Sequence, residues 1–589
     1  MRSIRLFSSV LSVFPVTLIG SLPVFAAEYK TTENFSVNSN TFSPFILAQA
    51  ITPANDGTGT VVTPDGNRFN IEGGTRSGDG ENLFHSFEEF GLDESQIANF
   101  LSNPEIRNIL GRVIGGDASI INGLIEMTGG TSNLFLMNPS GILFGPNAQL
   151  NLPGDFTATT ANGIQFGEEW FSAEGLNNYE ILVGNPTGFA FTMTDPGSVV
   201  NLGTLAVERG RNLTLLGGTV INAGQLSAPE GQVLITSVPG ENFVRISQPG
   251  QLLSLEIQPI LSASSQPNGW SVPITTLPDL LTTGNSGYEI TATVNPDGSV
   301  DLTVSDTTVP VNSGTTIASG EVDVSGETGG TVGVFGEKIG VIDANIDASG
   351  SNGGGTVLIG GEYKGQGDVP NALRTFVNQN TTINADGLLA GDGGRVIVWA
   401  DELTGFYGNI NVRGGSEFGD GGFVEVSGKE SLIFDGIVDT SAVNGEFGTL
   451  LLDPEKIRIV LVAPVPDLDD PIPPPNDDEL PRILFEERPG DTLILTKAEL
   501  ESQTGRIRLE AAQDITVDPG VSLEFLEGGA ITFTADADRE NGGNFSMDST
   551  QSIITPGRNL TINGVEVTVG DIDVGDANIT VNAPPDNRV

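Results

Sequence analysis

The chain has no cysteine, a single histidine, and only 26 lysine and arginine residues against 75 aspartate and glutamate in 589. Each shortage excludes a class of chemistry. Without cysteine there are no disulfide staples, no thiol nucleophile and no thiolate zinc site. The same absence suits a chain that crosses an oxidising periplasm unfolded, where stray thiols would cross-link it. One histidine, His85, supplies neither a histidine acid–base pair nor a histidine metal site; beside Phe84 and Phe87 it reads as a packed or half-exposed side chain. A net charge of −49 repels DNA, RNA and anionic membrane surfaces, so no nucleic-acid partner is expected. Beyond the N-terminus no stretch reaches about 18 uninterrupted apolar residues, and no later membrane span is expected.

What is abundant is glycine, with 78 residues, together with 34 prolines and a 38% hydrophobic content. That is enough apolar material for a core and argues against wholesale disorder. Turn residues every few positions among β-branched, Asn- and Thr-rich segments predict many short strands. The N-terminus carries an export signature. Arg2 and Arg5 precede an apolar segment, Leu6–Phe25, and Val24-Phe25-Ala26 offers a small-residue cleavage site, with Ala48-Gln49-Ala50 as an alternative. Residues 1–26 are therefore expected as a signal peptide (or 1–50 with the later cleavage), and 27–50 as a linker.

From Ile51 the sequence repeats. Val200-Asn201-Leu202-Gly203-Thr204-Leu205 recurs 21 residues later as Ile221-Asn222-Ala223-Gly224-Gln225-Leu226. Further on, a glycine followed by alternating apolar residues starts at Gly330, Gly355, Gly394, Gly422 and Gly448, with offsets of 25, 39, 28 and 26. Strands and glycine turns at a period in the twenties are the signature of a β-solenoid, whose coils bury their apolar sides only against neighbouring coils. The expected fold is all-β, a β-solenoid, with Glu362–Val377 inserted to account for the offset of 39. At about 4.8 Å per stacked strand, roughly twenty coils would make a monomeric rod on the order of 100 Å long. Two N-cap signatures, at Asp93/Gln96 and Asn103-Pro104, predict short helices near 93–110 flanking the β core. Two segments break the repeat: Gln251–Pro310, with a hairpin turn at Asn295-Pro296-Asp297-Gly298, and the proline-rich acidic Ala463–Leu480. Glycine-started strands resume at Gly505 and Gly529. The expected domains are thus 51–249, an insertion at 250–312, glycine-rich coils at 313–455, an acidic insertion at 456–490 and C-terminal coils at 491–589.

The stretch Asn133-Leu134-Phe135-Leu136-Met137-Asn138-Pro139-Ser140-Gly141-Ile142-Leu143-Phe144-Gly145-Pro146-Asn147-Ala148, flanked by Asn82–Phe87 and Phe156–Thr160, resembles the core of the filamentous haemagglutinin N-terminal domain, the secretion domain of two-partner secretion exoproteins. Gly354–Pro454 is similar to the body of large cyanobacterial exoproteins of this class. The family's turn is usually Asn-Pro-Asn-Gly-Ile; here Ser140 stands third, a residue acceptable at that position of a type I turn. The family's Asn-Pro-Asn-Leu motif has no match. The resemblance implies a right-handed parallel β-helix read in the periplasm by an outer-membrane transporter barrel with periplasmic receptor domains. The secretion motif it assigns is Asn138, Pro139, Ser140, Gly141 and Ile142.

Catalytic groups are sparse. Asp467/Asp469/Asp470 and Asp477/Asp478/Glu479 sit in a proline-rich loop unsuited to a fixed carboxylate separation, while Glu88/Glu89 and Asp401/Glu402 are adjacent pairs expected on opposite sides of a strand. No enzymatic activity and no cofactor are expected. Asp536–Gly542 is similar to a calcium loop, but its glycine comes one place late and the closing glutamate is missing, leaving only loose surface calcium. The expected function is an adhesin or cell-contact exoprotein, released or held at the cell surface, with an unidentified surface receptor or glycan. The alternatives are a β-helical polysaccharide lyase or hydrolase, separable by a groove lined with three or more convergent charged side chains, and a structural sheath component.

Overall fold

The computed structural model describes residues 51–246, 255–260, 266–283, 290–294, 300–304, 307–462, 490–525, 528–540 and 542–583, all within the unit Val37–Val589. The expected signal peptide and linker, the tip of the 295–298 turn and both acidic loop clusters at 467–479 lie outside them.

Alternation of apolar residues decides the architecture. In Asn133–Met137, Leu134 and Leu136 point to the interior, and the chain turns at 138–141 into Ile142–Phe144, which contributes Ile142 and Phe144 to the same core. A glycine corner then leads into Gln149–Asn151. Such a coil cannot enclose its own apolar side, so the next one stacks on it in parallel register: Leu134 on Phe156, Phe156 on Leu213, Leu213 on Val233. The column continues through Val332, Val357, Val396, Val424, Leu450, Ile507, Ile531 and Leu560. Upstream it extends through Ile109 to Leu83. All of these side chains belong to one buried cluster. Each such burial contributes about 1.5–3 kcal/mol, and loss of one rung exposes its neighbours. Among the described residues, a 17-stranded and a 19-stranded sheet form the walls, with neighbouring coils parallel. The fold is a parallel β-helix, and its coil spacing is the repeat seen in the sequence. Val200 pairs with Ile221, and Thr331, Thr356, Arg395, Phe423 and Thr449 pair in succession at the expected offsets.

Two devices make the repeat recognisable. Glycine is compelled at the corners: a Cβ on Gly394, Gly422 or Gly448 would lie 2.1 Å from the carbonyl oxygen of the glycine one coil below. Asparagines and aspartates tie the turns. Asn201 donates to Asn222 and Asn411 to Asn384, each at 2.8 Å, while Asp323, Asp347 and Asp439 accept the backbone N–H two residues on.

The helices expected at 93–110 are absent; that stretch forms strands Ile97–Leu101 and Asn108–Val113. The capping contacts themselves exist. Asp93 N–H donates to Gln96 Oε1 at 2.8 Å, and Glu105 N–H donates to Asn103 Oδ1 at 2.9 Å. They close isolated turns because Ile97–Leu101 gains more by pairing on both sides with Arg68–Gly73 and Leu124–Thr128 than one exposed helical turn would return. Instead of helices, antiparallel strands Thr52–Pro53, Thr60–Asp65 and Thr75–Arg76 close the beginning of the helix. The described α-helices are Leu277–Thr283 and Lys497–Glu501, the latter with a full capping box between Thr496 and Glu499; Tyr179–Ile181 and Tyr363–Gly365 are 3-10 helices.

Additions to the coils also differ from expectation. Gly163–Phe166, Glu169–Ser172, Gly188–Phe191 and Asn242–Ile246, in a region read as coils, join Leu255–Pro259 of the expected insertion in an antiparallel sheet outside the coils. Its Phe166, Phe171, Phe189 and Phe191 pack with Phe84, Leu110 and Met137 on the outer side of the large sheet. Ile290–Val294, Val300–Val304 and Thr307–Val311 make a separate antiparallel sheet across the expected hairpin. Within Glu362–Val377, Arg374–Val377 is itself a coil strand, so the loop ends before it. Lys456–Val460 is likewise a coil strand, paired with Thr492–Thr496 and Ile515–Val517.

Candidate functional site

The segment 138–142 is a β-turn sealed on every side. Gly141 N–H donates to the Asn138 carbonyl at 3.1 Å, and Ser140 N–H donates to Asn138 Oδ1 at 3.0 Å. The Asn138 amide donates in turn to the Asp117 carbonyl and to Ser119 Oγ, both at 3.0 Å, fixing the turn to the preceding coil. Ser140 therefore does what a third-position turn residue requires. Gly141 is needed for its φ of +126°. Gly197 of the next coil comes so close that a Cβ on it would lie 2.4 Å from the Pro139 carbonyl oxygen. Asn138, Ser140 and Ile142 have no exposed surface.

What covers the turn comes from far along the chain. Ser140 Oγ donates to the Pro273 carbonyl at 3.3 Å, and Thr275 N–H donates to the Ser140 carbonyl at 3.0 Å. Helix Leu277–Thr283 then lays Leu277, Leu280 and Leu281 against Ala118, Leu143, Val200 and Leu202. Sequence reasoning passed over this contact, although Thr276 and Asp279 carry a recognisable N-terminal capping signature, realised as Asp279 N–H donating to Thr276 Oγ1 at 3.3 Å.

A second group missed in the sequence pins the start of the domain. Arg112 is fully buried and donates to Ser86 Oγ (3.1 Å), the carbonyls of Ser172 (2.6 Å) and Gly175 (3.0 Å), and Asp56 Oδ2 (2.8 Å). Burial acts to raise the Asp56 carboxyl, but hydrogen bonds from Ser86, Thr58 and Arg112 outweigh it and hold the group at about 2. His85 faces the interior beside Phe87 and Phe100, neither ring nitrogen has a hydrogen-bond partner, and burial lowers its pKa to about 4. A neutral imidazole in an apolar wall is structural.

Elsewhere, the loop after Thr356–Ile359 crosses three coils. Lys364, at φ +56°, donates its backbone N–H to both Glu425 oxygens (3.0 and 3.2 Å) and its Nζ to Asp453 Oδ2 (2.9 Å) and Glu510 Oε2 (2.6 Å). Burial pushes Glu425 up to about 7, only partly offset by the Lys364 N–H. Charged groups do converge here, but around a lysine that fills the space between them rather than along a groove. Of the other carboxylates, Glu88 and Glu89 are both exposed at a strand end. Asp401 and Glu402 lie in a bend, not a strand: Asp401 accepts from Trp399 Nε1 and Asn371, and Glu402 pairs with Arg374. In the 536–542 loop, Asp536 accepts Gly542 N–H and Asp538 accepts Glu540 N–H, so both carboxylates are tied to their own backbone. Among the described residues, no group of three or more His, Asp or Glu side chains is arranged to hold a metal ion, and no helix is long and apolar enough to cross a membrane.

Residues 48–267, which contain the turn, Arg112 and the outer antiparallel sheet, match the family of the TPS secretion domain. Residues 48–267 carry a TPS secretion domain. A domain of this family marks a two-partner-secreted exoprotein that crosses the outer membrane with a partner transporter. Among solved structures, the HMW1 secretion domain from Haemophilus influenzae is similar at 17% identity and a TM-score of 0.39, covering 91% of this chain and 100% of that one. The filamentous hemagglutinin secretion domain is similar at 14% identity and a TM-score of 0.24, covering 68% of this chain and 100% of that one. No curated protein matches the chain. The buried turn joins two corners of the TPS secretion domain, 117–119 and 197–198, to the 272–283 segment that follows its matched residues.

Proposed function

We propose that this chain is exported through a dedicated outer-membrane barrel whose periplasmic receptor domains read its TPS secretion domain, with Asn138–Ile142 as part of the element read. The coils beyond about residue 313 then form the body of an adhesin or cell-contact protein outside the cell. The observation that carries the reading is the family match at 48–267 around this turn. Chain physics supports it: with no cysteine to cross-link and contacts mainly between adjacent coils, the protein can travel unfolded and fold progressively from one end. The many surface carboxylates keep the emerging coils soluble.

The test is co-expression with and without a candidate partner barrel, following the chain into the medium. Export is expected only with the partner, and deletion of 133–148 should hold the chain in the periplasm. Normal export of that deletion would end the assignment of the turn. Binding of the secreted chain to cells or glycan surfaces, lost on removing the coils after 313, checks the adhesive role.

A further inference from the structure

The turn assigned above to transporter recognition is inaccessible in the folded chain, and the reason lies in the order of its contacts. The hydrogen bonds that shape the turn are made within 21 residues: to Asp117, to Ser119, within 138–141, and from Asn138 N–H to the Thr159 carbonyl of the following coil. Those partners are all in place once the chain has reached residue 159. The contacts that hide it come later: the Gly197–Ser198 corner packs on Pro139 and Gly141, and the 272–283 segment closes the Ser140 side. Ser140 meets Pro273 across 133 residues of sequence. Thr275 caps the Ser140 carbonyl, and a Cβ on Gly141 would lie 3.7 Å from Leu280 Cδ1. The covering segment has its own anchor: Asn162 Nδ2 donates to the Asn268 carbonyl at 2.8 Å, and Ser271 N–H and Oγ donate to the Glu174 carboxylate at 2.8 and 2.6 Å.

We propose that residues 272–283 are a delayed cover which withdraws the Asn138–Ile142 turn from recognition once the TPS secretion domain has folded. The inference rests on the reading of that turn as a transporter element and adds its regulation. A chain emerging from its N-terminal side forms the turn early; the 197–198 corner then packs on one side of it, and the Ser140 side stays open until Pro273 arrives, 133 residues of sequence later, roughly 440 Å of extended chain. The turn is readable during that interval. When Leu277, Leu280 and Leu281 reach the apolar patch of Ala118, Leu143, Val200 and Leu202, it closes. A folded molecule then no longer competes with unfolded chains for the barrel. The cover is held to the turn itself by two hydrogen bonds and otherwise by apolar contact, so substitutions in its leucines should free it without altering the turn.

The chain's lack of cysteine makes the test clean. Ser140→Cys supplies the only thiol. In the folded full chain its reaction with a maleimide should be at least about 100-fold slower than in urea. Adding Leu280→Ser and Leu281→Ser should raise the rate at least tenfold while the β-sheet circular dichroism is retained. Should Ser140→Cys fail to fold, amide exchange at Ser140 and Gly141 in the cysteine-free chain, with and without the leucine changes, reads the same opening. The second arm uses the periplasmic part of whichever barrel exports the chain in the co-expression assay. Folded wild type should not bind it, the leucine variant should, and Asn138→Ala should remove that gain. Rapid labelling of folded Ser140→Cys, or no increase on loosening the helix, overturns the cover. Fast labelling without any gain in barrel binding overturns its regulatory role. Export of the 133–148 deletion overturns the recognition reading instead, whatever the labelling shows.

Discussion

The TPS secretion domain and the glycine-rich coils after it share one column of stacked apolar side chains, yet they bury their ionisable groups to opposite effect. In the secretion domain the interior holds a neutral His85, and the Arg112–Asp56 pair fastens three distant segments. In the coils, corners are bare glycine and three carboxylates of successive coils, Glu425, Asp453 and Glu510, meet under one loop at Lys364. A repeat explains how coils stack, whereas buried charge shows which coils are locked together.

The comparison breaks most sharply at Arg112. Arg112→Met removes the cation paired with Asp56 and a donor to the Ser172 and Gly175 carbonyls, and should cost about 3–5 kcal/mol in urea unfolding. An equivalent change at Arg395, whose pair with Glu362 is partly exposed, should cost less than about 1 kcal/mol. A loss at Arg112 no larger than that at Arg395 would remove the distinction.

Acid and base should pull the two regions apart. His85 has a folded pKa of about 4, below the 6.5 of the unfolded chain, so its neutral form favours folding. That stability is complete above pH 6.5 and fades as the pH falls toward 4, by roughly 3 kcal/mol in all. His85→Leu should flatten this acid limb. Glu425 has the opposite sign. Its folded pKa of about 7 lies above the ordinary 4.5, so its contribution is complete below pH 4.5 and is lost as the pH rises through 7. Amide protection factors, the intrinsic base-catalysed rate divided by the exchange rate, should fall over that range in strand 423–428 of wild type and stay level in Glu425→Gln, while protection at 108–113 follows the reverse trend. Parallel trends in both regions would contradict the assignment.

A smaller effect sharpens the view of the coils. Gly422→Ala places a methyl group against the Gly394 carbonyl, and overpacking of this kind should cost about 1–3 kcal/mol by thermal or urea unfolding. The same change at Gly210, where nothing lies within 4 Å, meets no neighbour, although its φ of +73° adds strain of its own.

The legible part of the fold was the part that repeats. The offsets from Gly330 to Gly448 became strand registers because the same steric demand recurs in each coil. The helices read at 93–110 failed because a capping signature reports only a local turn, while Ile97, Ala98 and Phe100 were committed to pairing on both sides. The outer antiparallel sheet and the cover over residue 140 were not legible: each occurs once, and each is specified by contacts such as Asn162 with Asn268 whose partners lie far apart in sequence. The turn itself was readable residue by residue, but its burial was not.

Lys364 also sets how this protein would yield to mechanical load. Where coils meet only their neighbours, tension on the chain peels them away singly, each releasing its own length. The lysine grips Glu425, Asp453 and Glu510 on successive coils, so those layers would have to give way in one larger rupture, making the stretch near residues 423–511 a built-in stop against unravelling.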